Sequence, residues 1–474
     1  MTLDELRGSI VLSDAVSEPK PARLLNLEIG KELLLRHMNN GGVIGVHFDV
    51  DCDGFSGGIV LYRALKALLP TVHITTNKER THGVNGDTAE FVWKNKISLL
   101  LVVDSSSRLD YDMGCDVLVL DHHEFDGADF RAVGEYTQVV VSNRHLPVVE
   151  PMSGCQVAYE FFRHVYAQME TPMDTRLAQW VGVSLISDVI DVKTERNQFY
   201  VREAFESNTG IHPDLRRICT DISSYFKCLY RSFVTYTLAP RINAISRAGF
   251  SGSLAYVISD GEPPKLPEWA LTKRDSVCGE ALARAKRVGG VVFSNLTGIE
   301  DAWRYTGIVA AKLSSKTGCS ALVFVEDGED GARGSFRHSI SGGDYLAKAK
   351  RFLQADGHAA AFGFSGSRLC LKEFIVELSK TPPAVPPVQL ASADVVRGGE
   401  LRDIALWNSR VGSEDEIFIT VSPSELTFVR AQGKVGLYRW KNSFEVRLLE
   451  KEFPQPPRLF AELQRGASLS LYLK

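Results

Sequence analysis

The stretch "GGVIGVHFDVDCDG", residues Gly41–Gly54, decides the fold of this chain. It begins as an apolar run with β-branched residues and ends in three aspartates at alternate positions, Asp49, Asp51 and Asp53. A short apolar run followed by the helical spacing of "GGIVLYRALKALL" indicates a buried strand that leads into a helix. Carboxylates this close repel one another and raise one another's pKa, so a divalent cation is the expected counter-charge.

Two further strand-like runs also end in acidic residues. Residues 97–104 read "ISLLLVVD", and residues 115–127 read "CDVLVLDHHEFDG". Short apolar runs that alternate with helices are typical of βαβ units and a parallel sheet, whose ligands bind beyond the carboxyl ends of the strands. We therefore expect the polar groups at these ends to share one edge, together with a carboxylate that interrupts the apolar helix "SLISDVIDV". The set is His47, Asp49, Asp51, Asp53, Asp104, Asp121, His122, His123 and Asp188.

The bulk composition is that of a soluble globular protein with several domains. A chain of 474 residues exceeds one ordinary core. A net charge of −4 argues against a generally basic nucleic-acid coat but leaves room for a local basic groove. Eight cysteines without a C-x-x-C pair argue against structural zinc and disulfides and favour the cytoplasm. The first residues lack a secretion signal, and no apolar run approaches the roughly 20 residues of a membrane span, so no membrane association is expected.

Composition along the chain predicts an α/β protein with a β-rich end. We expect a parallel-sheet N-terminal lobe over 1–205, a connector helix over 206–235 and a second α/β lobe over 236–380. The prolines of "KTPPAVPPVQLASAD" mark a linker over 381–392. Strand-like segments dominate 393–474, which predicts a small barrel or sandwich, with an oligonucleotide-binding type of barrel as one form.

The mixed set of carboxylates and imidazoles suits Mn²⁺, Mg²⁺ or Zn²⁺, and the lack of cysteine makes zinc the weakest candidate. This many ligands favours two ions over one, bridged by a carboxylate as in two-metal phosphoesterases. Each part alone has a simpler interpretation. The three aspartates could form a turn or a calcium loop, the histidines could lie on the surface, and Asp188 could cap a helix. Their occurrence at one predicted sheet edge favours the metal centre.

The motifs resemble those of the DHH phosphoesterase superfamily, and within it the RecJ-like single-strand exonucleases. "HFDVDCDG", "VVDSSS", "LDHHEF" and "SLISDVIDV" are similar to its four motifs. "PRINAISRAG" resembles the stretch that joins the two lobes, and "YTGIVAAKL", "GSFRHS" and "DGHAAAFG" resemble the DHH-associated substrate-binding domain. The C-terminal strands are related only by analogy with the oligonucleotide-binding barrel of RecJ proteins.

The resemblance implies roles for individual residues. It implies two divalent ions, Mn²⁺ preferred and Mg²⁺ as an alternative, held by Asp49, Asp51, Asp53, Asp104, His122 and Asp188, with His47 as a ligand in some relatives. Asp104 is implied as the bridging carboxylate, Asp121 as the partner that orients a histidine ring, and His123 as the group that faces the scissile phosphate. Substrate phosphates are implied at Arg80, Asn243, Arg247, Arg337, Gly357 and His358.

The activity implied is that of a metal-dependent exonuclease that degrades single-stranded DNA from 5′ to 3′ to mononucleotides. The expected partners are single-stranded nucleic acid, with DNA favoured, and a helicase or a single-strand-binding protein. One alternative is an oligoribonuclease or a cyclic or linear dinucleotide phosphodiesterase of the same superfamily. The other is a non-catalytic replication scaffold, but the chain keeps every acidic motif, and clustered carboxylates are costly without metal.

Overall fold

The computed structural model describes most of the first 380 residues and six strands beyond them. The described ranges are 17–77, 83–107, 112–125, 131–192, 194–206, 210–222, 226, 229, 233–247, 268–317, 319–338 and 345–380, followed by the backbone of strands between 418 and 473. The chain divides into two compact units, one of residues Met1–Leu266 with Gln389–Lys474 and the other of Pro267–Val388.

A sheet of six described strands forms the centre of the N-terminal lobe. The strands are β1 (Ile44–Phe48), β2 (His73–Thr76), β3 (Leu99–Val103), β4 (Asp116–Leu120), β5 (Arg131–Val133) and β6 (Tyr136–Val141). Their order is β2-β1-β3-β4-β6-β5; the first five are parallel, and β5 is antiparallel to β6. The predicted α/β class with a parallel sheet is confirmed.

Both faces of this sheet are covered, which explains why its strands are apolar throughout. Along β3, Leu101 and Val103 belong to one hydrophobic cluster, whereas Leu100 and Val102 belong to another. Successive side chains of a strand point to opposite faces, so the two clusters lie on opposite sides of the sheet. A parallel sheet buried on both faces needs continuous apolar strands. Polar groups are then left to the strand ends.

Helices connect and cover the strands of this lobe. They are α1 (Leu27–Asn39), α2 (Cys52–Leu68), α3 (Gly86–Asn95), α4 (Gly154–Gln168), a 3₁₀ turn (Thr175–Leu177), α5 (Ala178–Ser187), α6 (Glu195–Glu206), α7 (Pro213–Ile222), a π-helical turn (Val234–Leu238) and α8 (Ala239–Arg247). Helices α2, α3 and α4 begin at Asp51, Asn85 and Ser153, whose side chains accept hydrogen bonds from the first turn. Among the described helices, none is both long enough and apolar enough to cross a membrane.

The helices that follow α6 pack onto the first lobe. Helix α7 lies within the predicted connector 206–235, and its Leu215 and Ile218 are buried in the core of the N-terminal lobe. Helix α8, which was expected to open the second lobe, contributes Ile242 to the same core. The second unit begins at Pro267 rather than at 236, because the apolar residues of α8 pack against the first lobe.

The second unit has its own mixed sheet. Its strands are β7 (Lys286–Val288), β8 (Val291–Asn295), β9 (Ser320–Asp327), β10 (Gly331–Arg337), β11 (Gln354–His358) and β12 (Ala361–Ser367). Their order is β11-β12-β10-β9-β8-β7, with β8 and β9 parallel and the other neighbours antiparallel. Its helices are α9 (Glu268–Arg284), a 3₁₀ turn (Ala302–Tyr305), α10 (Thr306–Thr317), α11 (Tyr345–Ala349) and α12 (Arg368–Ser379).

The C-terminal part is β-rich, as predicted. Its strands are β13 (Phe418–Val421), β14 (Leu426–Gln432), β15 (Val435–Trp440), β16 (Phe444–Leu449), β17 (Arg458–Leu463) and β18 (Ala467–Leu473). Strands β14 to β18 pair antiparallel in chain order, and β13 pairs in parallel with β18. A barrel of the oligonucleotide-binding type stays a prediction, and the linker predicted over 381–392 lies outside the described residues.

Candidate metal centre

Three neighbouring strands of the N-terminal sheet are each followed directly by an aspartate. Asp49 follows β1, Asp104 follows β3 and Asp121 follows β4. The last residues of the three strands are in register with one another, so their carboxyl ends are level. All three side chains are buried. The carboxylates predicted to share one edge of the sheet are therefore close together.

The acids and histidines of this edge form three overlapping groups, in each of which the possible ligand atoms lie within 4.8 Å of one another. The groups are Asp49, Asp51 and Asp104; Asp53, His122 and Asp188; and Asp104, Asp121, His122 and His123. Asp104 Oδ1 lies 3.2 Å from His122 Nε2, which is 3.7 Å from Asp188 Oδ2 and 3.9 Å from Asp53 Oδ2. Asp104 therefore belongs to the first group and contacts His122 of the second, and its assignment as the bridging carboxylate stays a prediction.

Helix N-termini hold two of the carboxylates. Asp51 Oδ1 caps α2 by accepting hydrogen bonds from the backbone N–H groups of Asp53 and Gly54, both at 3.0 Å. Asp53 in turn accepts from the first N–H groups of α4, those of Gly154 at 2.8 Å and Cys155 at 2.9 Å. The positive end of a helix favours a carboxylate. The turn that was the simpler interpretation of Asp51 is present, and it leaves Asp51 within a ligand group.

Burial and mutual repulsion raise the pKa of the clustered acids. For Asp53, burial and then the charge of Asp51 raise the pKa to about 7, although its backbone hydrogen bonds act in the opposite direction. Burial and the charges of Asp53 and Asp51 also raise the pKa of Asp104 and of Asp188 well above the usual range. Such groups hold protons unless a cation shares the site. A donor set of carboxylate oxygens with one or two imidazoles fits Mn²⁺ or Mg²⁺.

The sequence predicted that Asp188 interrupts an apolar helix. In the structure Asp188 instead follows the last residue of α5. The backbone N–H of Ile190 donates to the carbonyl of Leu185, and Val189 has φ 56°. This is the turn with which many helices end, but its left-handed residue is usually glycine. A β-branched residue there is strained and is retained only where its surroundings hold it. The turn ends the helix with the Asp188 carboxylate close to His122.

Asp121 holds the two histidines that follow it in the chain, His122 and His123, through hydrogen bonds. Its Oδ1 accepts hydrogen bonds from His123 Nδ1 and from the backbone N–H of His122, both at 2.8 Å, and its Oδ2 accepts from Ser107 Oγ at 2.7 Å. Burial acts to raise the pKa of Asp121, but the charge and hydrogen bond of His123 outweigh it, and the pKa falls below the usual range. The charge of Asp121 raises the pKa of His123 to about 10 against burial, so the His123 ring carries a positive charge at neutral pH.

His47 lies in β1, two residues before Asp49 and on the same side of the strand. Its ring is fully buried, which lowers its pKa, and its Nε2 lies 3.2 Å from Asn77 Oδ1. Among the residues that the structure describes, His47 is not in the three ligand groups. Its assignment as a metal ligand stays a prediction.

The predicted phosphate-binding residues are spread over the chain, and their roles stay predictions. Arg337 ends β10, and its Nη1 donates to the carbonyl of Phe336 at 2.7 Å. Gly357 in β11 has φ 134°, a conformation that favours glycine. Of the others, Asn243 lies in α8, Arg247 and His358 end α8 and β11 with only their backbone described, and Arg80 lies outside the described residues.

Sequence reasoning missed several residues that position the ligands. Ser107 donates to Asp121, and the first two N–H groups of α4 hold Asp53. Ser153 in "MSGCQ" was a recognisable helix start, and its side chain does cap α4. No local signal says that this helix start meets Asp53, which lies about a hundred residues earlier in the chain.

Gly154 gives a test of how tightly the centre is packed. A Cβ at this position would lie 2.5 Å from Asp104 Oδ1 and 2.8 Å from Asp104 Cα. We expect Gly154→Ala to displace Asp104, to destabilise the chain by about 1–3 kcal/mol and to weaken Mn²⁺ binding. Thermal melts with and without Mn²⁺ check this. Gly279→Ala in α9, with no neighbouring atom within 4 Å of the new Cβ, is the control and should change neither property for the worse. Unchanged Mn²⁺ binding in Gly154→Ala would contradict the packing described.

Comparison with known families and proteins gives consistent matches. Residues 43–183 match the model of the DHH family, N-terminal domain. The "Putative SPbeta prophage-derived single-strand DNA-specific exonuclease YorK" of Bacillus subtilis (strain 168) is 23% identical over 207 residues, 42% of this chain and 34% of that protein. The "Putative single-strand DNA-specific exonuclease yorK" of Bacillus phage SPbeta matches with the same values. The match spans about a third of the length of these relatives.

Solved structures share the fold over a larger part of the chain. RecJ from Thermus thermophilus in complex with Mn²⁺ has a TM-score of 0.74 at 20% identity, over 99% of this chain and 74% of that one. The same protein with Mg²⁺ has a TM-score of 0.68 at 19% identity, over 99% and 73%. An exonuclease RecJ bound to manganese has a TM-score of 0.56 at 21% identity, over 77% and 97%. At these identities the likeness shows a shared fold.

Proposed function

We propose that this chain, which carries the N-terminal domain of the DHH family over residues 43–183, hydrolyses phosphodiester bonds as an exonuclease on single-stranded DNA. The observation that carries the proposal is the convergence of strand-end and helix-end carboxylates around Asp104. The shared fold with RecJ and the distant similarity to proteins named as single-strand DNA-specific exonucleases support this substrate class. By the same analogy, digestion runs from 5′ to 3′ and releases mononucleotides.

The acidic edge fits two divalent ions. Asp49, Asp51 and Asp104 would hold one ion, and Asp53, His122 and Asp188 would hold the other, with Asp104 proposed as the shared carboxylate. When bound, such a pair of ions lowers the pKa of water and polarises the phosphoryl group. Mn²⁺ is the preferred ion in this proposal because of the imidazole ligand, with Mg²⁺ as the alternative.

The residues themselves supply orientation and a proton. Asp121 holds His123 through Nδ1, so the proton on Nε2 is the one that can reach the substrate. His123 is partly exposed, with 38% of its side chain accessible, whereas Asp121 beneath it is buried. We assign His123 the role of stabilising the charge that develops on the phosphate, or of protonating the leaving oxygen.

Phosphate recognition falls to residues outside the acidic edge, most of them basic. Arginine suits this role because its planar fork matches two phosphate oxygens. The glycine at position 357 allows the backbone to approach a ligand closely. The proposed residues are Arg80, Asn243, Arg247, Arg337, Gly357 and His358.

The test is an assay of the full chain on single strands of about 30 nucleotides, labelled at one end and blocked at the 5′ or the 3′ end. A dinucleotide is assayed beside them, each with Mn²⁺, Mg²⁺ or a chelator. We expect mononucleotides from the strand with a free 5′ end and no product with chelator. Cleavage confined to the dinucleotide would overturn the polymer substrate, and no hydrolysis with either metal would overturn the enzyme. Asp104→Asn protein purified in parallel controls for contaminating nucleases.

The cellular role follows from the proposed substrate. An exonuclease of this kind serves DNA repair or recombination in the cytoplasm, beside a helicase or a single-strand-binding protein. The seven described cysteines are all free, which suits a reducing compartment. Pull-down with a single-strand-binding protein tests the partner.

A further inference from the structure

We propose that Asn77 is a positioning residue that fixes which nitrogen of His47 carries the proton, and so turns the lone pair of His47 Nδ1 towards a metal ion. The inference rests on the proposed function, because it assigns the His47 ring to the metal centre. It follows from a chain of hydrogen bonds that runs from the start of helix α3 to His47. We call this chain, Asn85 to Asn77 to His47, the amide relay.

The first link is set by the backbone of α3. Asn85 is the cap of this helix, and its Oδ1 accepts hydrogen bonds from the N–H groups of Asp87 at 2.9 Å and Thr88 at 3.2 Å. A backbone N–H can only donate, so the atom that faces it must be the oxygen of the Asn85 amide. The other atom, Nδ2, is a donor and faces Asn77 Oδ1 at 3.1 Å.

The second link fixes the Asn77 amide from two sides. Its Oδ1 accepts from Asn85, and its Nδ2 donates to the carbonyl oxygen of Gly83 at 2.7 Å. A carbonyl can only accept, so both contacts give the same orientation of the amide. The atom 3.2 Å from His47 Nε2 is therefore an acceptor, and Nε2 must carry a proton.

The last link leaves Nδ1 of His47 with a lone pair. A neutral imidazole has one proton, and the relay places it on Nε2. His47 is fully buried, and in the part of the chain that the structure describes its Nδ1 has no hydrogen-bond partner. A buried acceptor without a donor costs about 1–3 kcal/mol. Asp49 follows on the same side of the strand, and its charge acts on the ring.

A metal ion satisfies all of these observations together. It accepts the lone pair that no donor among the described residues approaches, and it balances the charge of Asp49. Histidines that bind metals usually donate their other N–H to a fixed acceptor, which sets the tautomer. Asn77 has this position, and its hydrogen bonds with Asn85 and with the Gly83 carbonyl keep it in place.

The decisive variants change acceptor and donor separately. Asn77→Leu keeps a branched side chain with the same number of heavy atoms but cannot accept from Nε2. Asn77→Asp keeps the acceptor for Nε2, loses the hydrogen bond to the Gly83 carbonyl and adds a negative charge. Dissociation constants for Mn²⁺ are measured by calorimetry on the full chain, and the His47 tautomer is measured from ¹⁵N-histidine spectra of the metal-free protein. His47→Gln identifies the signals.

We expect Asn77→Leu to weaken Mn²⁺ binding by about 10- to 100-fold and to lose the single tautomer. Asn77→Asp should keep the Nε2-protonated form and bind Mn²⁺ close to the wild-type value. Equal losses in both variants would show a merely structural role, and unchanged binding in Asn77→Leu would also overturn the inference. If the wild-type chain binds no Mn²⁺ at all, the proposed function fails instead.

A variant of the cap decides the matter if Asn77→Leu does not fold. Asn85→Asp remains an excellent helix cap, but it cannot donate to Asn77. Two oxygens would then face each other, and the Asn77 amide is expected to turn over. His47 would lose its acceptor, so Mn²⁺ binding should weaken while the helix is retained. Asn85→Ser caps the helix without this repulsion and should bind Mn²⁺ better than Asn85→Asp. The opposite order would contradict the relay.

Discussion

The Asp104→Asn variant is expected to lose metal-dependent hydrolysis by more than about 100-fold and yet to be more heat-stable than the wild-type chain when no metal is present. Loss of a group beyond the metal ligands already costs about 10- to 100-fold, so loss of a shared ligand should cost more. The gain in stability follows from the raised pKa of Asp104, which comes first from burial and then from Asp53 and Asp51. Asparagine has the same shape and removes the disfavoured charge.

The measurement is a thermal melt at about pH 8 with chelator and with Mn²⁺, beside an activity assay. Wild-type protein should gain stability from Mn²⁺, and Asp104→Asn should gain little. Asp116→Asn is the matched control. Asp116 begins β4 at the other end of the strand, and it pairs with Arg36 at 2.9 Å and His37 at 2.8 Å. Its replacement should lower stability and leave the Mn²⁺ effect in place. If metal-free Asp104→Asn were less stable than the metal-free wild-type chain, repulsion among the buried acids would not be the cause of the raised pKa of Asp104.

The metal-free wild-type chain is expected to lose stability as the pH rises, whereas the Mn²⁺-bound chain gains relative to it. The folded pKa of Asp53 is raised to about 7 from the ordinary value near 4, and those of Asp104 and Asp188 are raised as well. A raised pKa means that the folded chain binds protons more tightly than the unfolded chain. Its contribution to stability is therefore fully present below the unfolded pKa and is lost as the pH rises through about 7.

Metal acts in the opposite direction, because only deprotonated ligands bind it. At a free concentration 100 times the dissociation constant, a single ion stabilises by about 2.7 kcal/mol. The difference between the melting temperatures with Mn²⁺ and with chelator should therefore grow from about pH 5 to pH 8. The raised pKa of His123 adds to the loss in the metal-free chain between about pH 6.5 and about pH 10. If the difference between these melting temperatures stayed constant from about pH 5 to pH 8, the raised pKa values of the clustered acids would be contradicted.

The strand ends were the most predictable part of the structure. An apolar run that ends in a polar residue is a local pattern, and parallel strands must end at a common edge. For that reason Asp49, Asp104 and Asp121 could be placed together from their positions alone. Asp188 was predicted within a helix because the apolar pattern continues past it. The left-handed turn at Val189 that ends the helix has no glycine to announce it.

Contacts between distant segments could not be predicted. Gly154 packs against Asp104 because α4 starts where β3 ends, and a glycine in a sequence does not say what it packs against. Asn77 and Asn85 lie in a polar stretch between a strand and a helix, which reads as an ordinary loop and cap. The sequence predicted that the second lobe begins at residue 236, before α8. The apolar residues of a helix do not indicate which hydrophobic core they join, and those of α8 join the core of the first lobe.

The positions of the acidic groups, from 49 to 188, also have a kinetic consequence. The strands that carry them become neighbours only when the sheet has assembled, and such long-range pairing comes late in folding. We therefore expect the complete set of ligands to form only in the assembled sheet, so that a cation has little effect on the rate of folding. Bound ions are expected to slow unfolding of the native state and to leave the folding rate unchanged.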